Sequence, residues 1–177
     1  LKKHANGIIQ GIKKLEAKDA KRAIWELFQN AVDLSQECEI EIELSHDAIK
    51  FSHNGEPFNA MTLDCLFKQV SSKTLEEKKA TYEDTDPVGQ YGTGFLTTHT
   101  FGKIIEIEGA LQDGDEYINV KRFQINRSSQ NWAELSDNIR ALKETVFELL
   151  RTGERRNPPL PKTTFAYQTD TPYNRDN

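Results

Sequence analysis

The sequence predicts an α+β fold, specifically a two-layer α/β sandwich in which helices cover one face of a mixed, mostly antiparallel sheet. Apolar residues recur at helical spacing in a first segment that ends near Leu34 and again from Trp132 to Leu149. Between these regions, apolar and acidic residues alternate from Glu39 to Leu44, which is typical of a half-buried strand. Helices and strands therefore follow one another in mixed order, as they do in sandwiches of this class.

Shorter patterns predict the remaining elements. Turn-forming residues at 45–47 and 113–115 each join two strands as a hairpin. A proline-rich connection at 157–161 precedes the last strand, and the polar tail from Thr169 is expected to fray. Strands are expected at residues 40–44, from 49, at 104–107, 117–125 and 163–167, and short helices at 61–70 and 95–100.

Composition limits the possible classes of function. The chain has 177 residues, 29% of them charged, and a formal net charge of −5. This charge argues against a broad nucleic-acid surface, which needs clustered Lys and Arg, but leaves room for a small phosphate pocket. No run approaches the roughly 20 apolar residues that span a bilayer, and Cys38 and Cys65 lack metal-binding spacing. We therefore expect one cytoplasmic domain over residues 1–177, with buried thiols and no membrane or direct nucleic-acid partner.

The first helical segment carries a polar face beside its apolar one. The residues of this face recur at i, i+3, i+4 and i+7, and they are Glu26, Gln29, Asn30 and Asp33. A solvated helix surface is one interpretation of this pattern. The other is a site in which a carboxylate, one turn from an amide oxygen, polarises a water molecule beside a magnesium ion.

Two glycine-containing segments are further candidates. In Ser52–Phe58 (SHNGEPF), Asn54-Gly55 allows positive φ and a tight turn, although a plain strand-to-helix turn is an alternative. Gly89–Phe95 (GQYGTGF) holds three glycines in six residues before the expected small-residue helix. Exposed backbone N–H groups and a helix N-terminus favour an anion there, whereas a flexible turn is the alternative. The polar residues 71–88 between the two segments predict a mobile loop.

Together these motifs resemble the boxes of the GHKL superfamily of ATPases, which includes DNA gyrase, heat-shock protein 90-class chaperones, histidine kinases and MutL. Residues 26–33 (ELFQNAVD) are similar to the first box, ExxxNAxD, and residues 88–95 (VGQYGTGF) to the glycine box of the chaperones. Residues 53–58 (HNGEPF) resemble the second box and residues 162–165 (KTTF) the terminal box. The resemblance covers about Ile8 to Tyr167 and implies the Bergerat fold, with residues 71–88 as an ATP lid.

The resemblance implies a role for each matching residue. Glu26 would be the general base that orients or deprotonates the attacking water, and Asn30 would ligate Mg²⁺. Lys73 would reach the phosphates from the closed lid or is a plain surface lysine, and Asp33 would lie near the nucleotide or form an ion pair on its helix. The implied nucleotide contacts are Asn30, Asp33, His53, Gly55, Phe58, Lys73, Gly89, Gln90, Tyr91, Gly92, Thr93, Gly94, Phe95 and Thr163.

One position departs from the pattern of the family. The second box usually begins with an Asp that accepts a hydrogen bond from the adenine amino group, and His53 stands there in this sequence. A neutral imidazole accepts one hydrogen bond through its bare nitrogen, or presents N–H to a carbonyl such as that of guanine. We therefore expect weaker discrimination in favour of adenine, with nucleotide binding retained.

The function implied by the resemblance is Mg²⁺-dependent ATP binding and hydrolysis, in which nucleotide closes the lid and changes contacts with downstream domains or drives dimerisation. The chain begins without Met and stops soon after its last predicted strand, so we expect the N-terminal fragment of a longer protein, with slow turnover in isolation. The alternative is a degenerate nucleotide-sensing or protein-interaction module without hydrolysis. His53 favours that alternative, and the Glu26–Asn30 pair disfavours it.

Overall fold

A computed structural model describes residues 1–33, 35, 37–69 and 94–169 of the chain. The four helices of this part are α1 (Lys2–Lys13), α2 (Ala20–Val32), α3 (Ala60–Lys68) and α4 (Trp132–Thr152). The strands are β1 (Ile40–Leu44), β2 (Ala48–His53), β3 (Phe58–Asn59), β4 (Ile104–Asp113), β5 (Glu116–Asn126), β6 (Arg155–Arg156) and β7 (Thr163–Gln168). Short 3₁₀ segments lie at Ala17–Asp19 and Phe95–Thr100.

The seven described strands form one open sheet, in which six follow the order β1-β2-β7-β4-β5-β6 and β3 pairs with β4 off this path. The pairs within this order are antiparallel, whereas β3 runs parallel to the end of β4, at Leu111 and Gln112. The last long strand of the chain, β7, thus lies between β2 and β4 in the middle of the sheet. This insertion places the terminal box directly beside the second box.

Helices cover one face of the sheet, because alternate residues of the central strands are buried against them. On β7 the buried positions are Thr163, Phe165 and Tyr167, and on β4 they include Ile105 and Ile107. The helices contribute one apolar stripe each to the same core, which contains Ile8, Ala23, Leu27, Leu63, Leu66, Leu135 and Ile139. The predicted α+β class with a mixed, mostly antiparallel sheet is therefore confirmed.

The first helical segment differs from the expectation of a single helix. It is divided into α1 and α2 by residues 14–19, where the backbone N–H of Glu16 donates to Asp19 Oδ2 at 2.8 Å. The Glu16 and Asp19 side chains form a reciprocal capping box, in which each accepts a hydrogen bond from the backbone N–H of the other residue. Such a box marks the start of a new helical segment. The sequence reasoning also missed β3 and β6, whose two residues each are too few to show alternation.

The helix expected after the glycine turn is a six-residue 3₁₀ segment, Phe95–Thr100. The hydroxyls of Thr97 and Thr98 donate to the carbonyls of Gly94 and Phe95, at 2.7 and 2.8 Å. The backbone N–H of Thr97 also donates to Gly94 O, three residues back, at 3.0 Å. Since β-branched threonines are weak helix formers and their hydroxyls compete for carbonyls, the segment keeps the tighter spacing.

Cys65 is buried and Cys38 is half-buried, and both thiols are free. The expectation of burial is therefore confirmed for Cys65 and only partly met by Cys38. None of the helices in the described ranges is long and apolar enough to cross a membrane.

Candidate functional site

The carboxylate of Glu26 packs against the backbone of Gly94. A Cβ atom added to Gly94 would lie only 2.5 Å from both Cδ and Oε1 of Glu26. Gly94 has an ordinary helical φ of −61°, so glycine is needed there for space and not for backbone conformation. The structure thus joins the first residue of the first box to the last glycine of the glycine box.

Arg22 is the charged neighbour of Glu26 on α2. Its Nε lies 3.6 Å from Glu26 Oε1, one helical turn away, and the Glu26 side chain is only 19% exposed. Sequence reasoning did not name Arg22, although opposite charges at i and i+4 on a helix are a recognisable signal. The guanidinium therefore stands beside the carboxylate that was predicted to act as the general base.

Asn30 and Asp33 continue the same side of α2 beyond Glu26. Asn30 follows Glu26 by one turn and is half-buried. Asp33 ends the helix, where its backbone N–H donates to Gln29 O at 3.0 Å. The predicted helical placement of these residues is confirmed, because all of them lie on α2 or at its C-terminus.

Gly55 lies against the C-terminal end of α2. A Cβ atom at this position would come 2.7 Å from Ala31 O and 2.7 Å from Ser35 Oγ. A hydrogen bond stabilises the turn at this position, because the Glu56 N–H donates to Ser35 Oγ at 3.0 Å. The Asn54-Gly55 turn does not use positive φ, which among the described glycines occurs only at Gly114. Gly55 is required by the close approach to α2, and the first and second boxes meet at this contact.

His53 is buried at the end of β2 and is only 5% exposed. Its ring lies beside those of Phe51 and Phe165, with centroids 6.3 and 6.2 Å away. Nδ1 accepts a hydrogen bond from the N–H of Gly55 at 3.2 Å. Burial lowers the pKa of His53 from 6.5 to about 4, so the imidazole is neutral at pH 7.

Thr163 stands directly opposite His53 in the β2–β7 pair. It is 4% exposed, and its Oγ1 would lie 3.0 Å from a Cβ atom added to Gly109. Gly109 is at the irregularity in the β4–β5 pairing, where the sheet changes register. The second and terminal boxes are therefore adjacent on neighbouring strands, although they are far apart in the sequence.

Phe58 and Phe95 lie in the hydrophobic core, and each is at most 3% exposed. Both rings pack against Phe165, with centroid separations of 5.9 and 5.8 Å. Phe58 belongs to the second box, Phe95 to the glycine box and Phe165 to the terminal box. The contacts of these three rings therefore bring the three boxes together. Sequence analysis included Phe165 in the terminal box without giving it a role, although its alternation with Thr163 on a strand predicts the same inward face.

An open cleft of about 620 Å³ lies beside these residues, between the turn after β2 and the proline-rich connection before β7. Gly55 and Thr163 both line it, together with the charged residues Glu37, Glu56 and Lys162. The amine of Lys162 is 2.6 Å from Glu41 Oε2, so that positive charge is already paired. This end of the site is polar and suits a neutral hydrogen-bonding group better than a phosphate.

Several predicted residues lie outside the described part of the chain. They are Lys73, Gly89, Gln90, Tyr91, Gly92 and Thr93, together with the predicted lid at residues 71–88. Of the glycine box, only Gly94 and Phe95 can be placed. The predicted phosphate contacts of the other residues stay predictions.

A magnesium ion that is shared with a bound phosphate would need few oxygen ligands from this chain. Within the described ranges there is no group of three or more His, Cys, Asp or Glu side chains that could hold a metal. Mg²⁺ is usually bound through one or two protein oxygens and completed by phosphates and water. The carboxylate of Glu26 and the amide oxygen of Asn30 belong to this class of ligand, and they lie one turn apart on α2.

Comparison with models of known protein families found no match for this sequence. A search of curated protein sequences also found no significant match.

Proposed function

We propose that this domain binds a nucleoside triphosphate with Mg²⁺ and hydrolyses it, in the manner of the GHKL ATPases that its motifs resemble. The observation that carries the proposal is the packing of Glu26 against Gly94. A general base must lie within hydrogen-bonding reach of its water, close to the phosphate that is attacked. A carboxylate held against the glycine box meets this requirement, since the backbone of such a box cradles phosphates.

Three further contacts support one site assembled from all four boxes. Gly55 touches the end of α2, His53 faces Thr163 across the sheet, and Phe165 contacts both Phe58 and Phe95. Each contact joins residues that are distant in the chain. Agreement between motif order and spatial assembly supports a functional site over an accidental set of short motifs.

The proposed mechanism uses residues of α2. Glu26 would accept the proton of the attacking water, and Arg22 lies beside its carboxylate. Asn30 would hold Mg²⁺ through its amide oxygen. When bound, the ion neutralises negative charge on the phosphate oxygens. The resemblance implies ATP as the nucleotide, and nucleotide would change contacts with downstream domains or with a second copy.

Binding and turnover distinguish hydrolysis from nucleotide sensing. We expect the purified domain to bind the β,γ-imido analogues of ATP and GTP with Mg²⁺ and to hydrolyse the parent nucleotides slowly. Glu26→Gln should lower turnover at least about 100-fold, the usual contribution of a general base, and leave binding within a few-fold. Glu144→Gln, on the exposed side of α4, is the matched control and should change neither quantity.

Each failure of this experiment has a separate meaning. Absence of binding by any nucleotide would contradict the proposal entirely. Binding without turnover in the unmodified domain would favour the sensing module, and turnover that survives in Glu26→Gln would remove Glu26 from its role as base.

A further inference from the structure

His53 is a buried hydrogen-bond donor, as its local geometry shows. A neutral imidazole carries one proton on one of two nitrogens. The Gly55 N–H points at Nδ1 from 3.2 Å, so Nδ1 is the bare acceptor and the proton is on Nε2. A charged imidazole would set two N–H groups against each other at this contact. The structure therefore selects both the neutral form and the Nε2–H tautomer.

The Nε2–H group has no acceptor among the described residues, although His53 is 95% buried. Nε2 is not one of the fully buried polar atoms that lack a partner, so this donor remains open to an approaching ligand. Both close neighbours of His53, Gly55 along the chain and Thr163 across the strand pair, line the 620 Å³ cleft. His53 does not itself line this cleft, but a ligand that reaches past Gly55 and Thr163 could offer its ring an acceptor.

We infer that His53 selects a purine base that carries an oxygen at position 6, so that guanine or hypoxanthine nucleotides bind better than adenine nucleotides. The inference rests on the proposed nucleotide site and specifies its base. A 6-oxo group accepts a hydrogen bond, whereas the amino group of adenine donates one and would meet the Nε2–H donor to donor. A site built around a positioned donor rejects an analogue that lacks the acceptor, so adenine nucleotides should bind less tightly.

Substitution of His53 tests the inference, because replacing the donor by an acceptor should reverse the order of nucleotide affinities. We would measure binding of the β,γ-imido analogues of ATP, GTP and ITP by calorimetry, with Mg²⁺, to the unmodified domain and to His53→Asp. The unmodified domain should bind the GTP and ITP analogues roughly tenfold tighter than the ATP analogue, the effect of one hydrogen bond gained or lost. His53→Asp offers only an acceptor and should reverse the order in favour of ATP.

A second variant and a spectroscopic measurement keep the test decisive if His53→Asp folds poorly. His53→Phe keeps a ring beside Phe51 and Phe165 without any N–H, and it should bind the three analogues with equal affinity. The ¹⁵N chemical shifts of His53 should report the Nε2–H tautomer at pH 7. Replacement of the exposed His46 by Asp should leave the order of affinities unchanged.

The outcomes distinguish failure of the inferred base preference from failure of the proposed nucleotide binding. ITP that binds as weakly as ATP, or an ATP preference that survives in both His53 variants, overturns the inference and leaves the nucleotide site standing. A bare Nε2 in the spectrum also overturns it. No binding by any of the three analogues overturns the proposed function and the inference together.

Discussion

Gly94 leaves just enough space for the carboxylate of Glu26, because a single added carbon would come within 2.5 Å of Cδ and Oε1. Gly94 comes from the end of a glycine-rich segment and Glu26 from the middle of α2. Their contact couples the space available at residue 94 to the position of the predicted base.

Gly94→Ala should therefore displace Glu26. Because φ at residue 94 suits any residue and the atoms in the way end a flexible side chain, we expect Glu26 to move aside and the stability to change by at most about 1 kcal/mol. Turnover should fall more than binding, since the base moves. Gly7→Ala on α1 is the control: its added carbon meets nothing within 4 Å, and it should stabilise the domain by about 0.5–1 kcal/mol. Urea unfolding and steady-state turnover measure both, and equal behaviour of the two variants would contradict the contact.

Gly55→Ala should push the turn after β2 away from α2, because the added carbon would lie 2.7 Å from Ala31 O and Ser35 Oγ. We expect a loss of about 1–3 kcal/mol of stability. Ser35→Ala removes one of the two obstructing atoms, so the cost of Gly55→Ala should be smaller in that background. A double-mutant cycle measured by urea unfolding reports this coupling. Strictly additive effects would show that the two residues do not share the contact.

Acid should destabilise the domain through its two buried histidines. Burial lowers the pKa of His53 to about 4, and burial together with the charge of Arg127 lowers that of His99 to about 3. The unfolded chain takes up protons near pH 6.5 whereas the folded state does not, so this stabilisation is complete above pH 6.5. It is lost as pH falls from 6.5 toward 4 for His53 and toward 3 for His99, by about 3 kcal/mol or more for each.

Titration of the imidazole signals by NMR isolates these two groups from the carboxylates. Neither His53 nor His99 should become protonated in the folded domain above pH 5. An imidazole of His53 that titrates near pH 6.5 would contradict both the burial and the hydrogen bond from Gly55.

Arg127 should be essential for the end of α3. Its buried Nη2 donates to Leu66 O at 2.8 Å and to Phe67 O at 3.1 Å, in the last turn of that helix. Arg127→Ala removes the side-chain donor to Phe67 O, whereas Leu66 O keeps the donor Gln69 Nε2 at 2.7 Å, and the loss should cost about 1–3 kcal/mol. Arg140→Ala removes an exposed ion pair with Asp137 on α4 and should change stability by at most about 0.5 kcal/mol. Urea unfolding midpoints compare the two variants, and equal midpoints would show that the buried guanidinium is dispensable.

Local periodicity explains how much of the fold could be predicted from the sequence. The long helix α4 and the strands β5 and β7 were predicted within a few residues, because each buries one face and so repeats apolar residues at its own period. The bounds of β1 were also predicted, but it is not the half-buried strand that was expected, because Ile42 and Leu44 are 40% and 70% exposed. The 3₁₀ form of Phe95–Thr100 could not be predicted in this way. It depends on threonine hydroxyls that compete for backbone carbonyls, and the spacing of apolar residues carries no information on these hydrogen bonds.

The sequence by itself determined the α+β class, the inward faces of the main elements, and the residue types of the candidate site, including Glu26, Asn30 and His53. These are local properties, set by spacing along a helix or strand and by side-chain chemistry. Only the tertiary structure decided that Glu26 meets Gly94, that β7 inserts to place Thr163 opposite His53, and that His53 is a neutral donor. The physical reason is that these relationships join residues distant in the chain or depend on burial, and both arise only when the helices pack on the sheet.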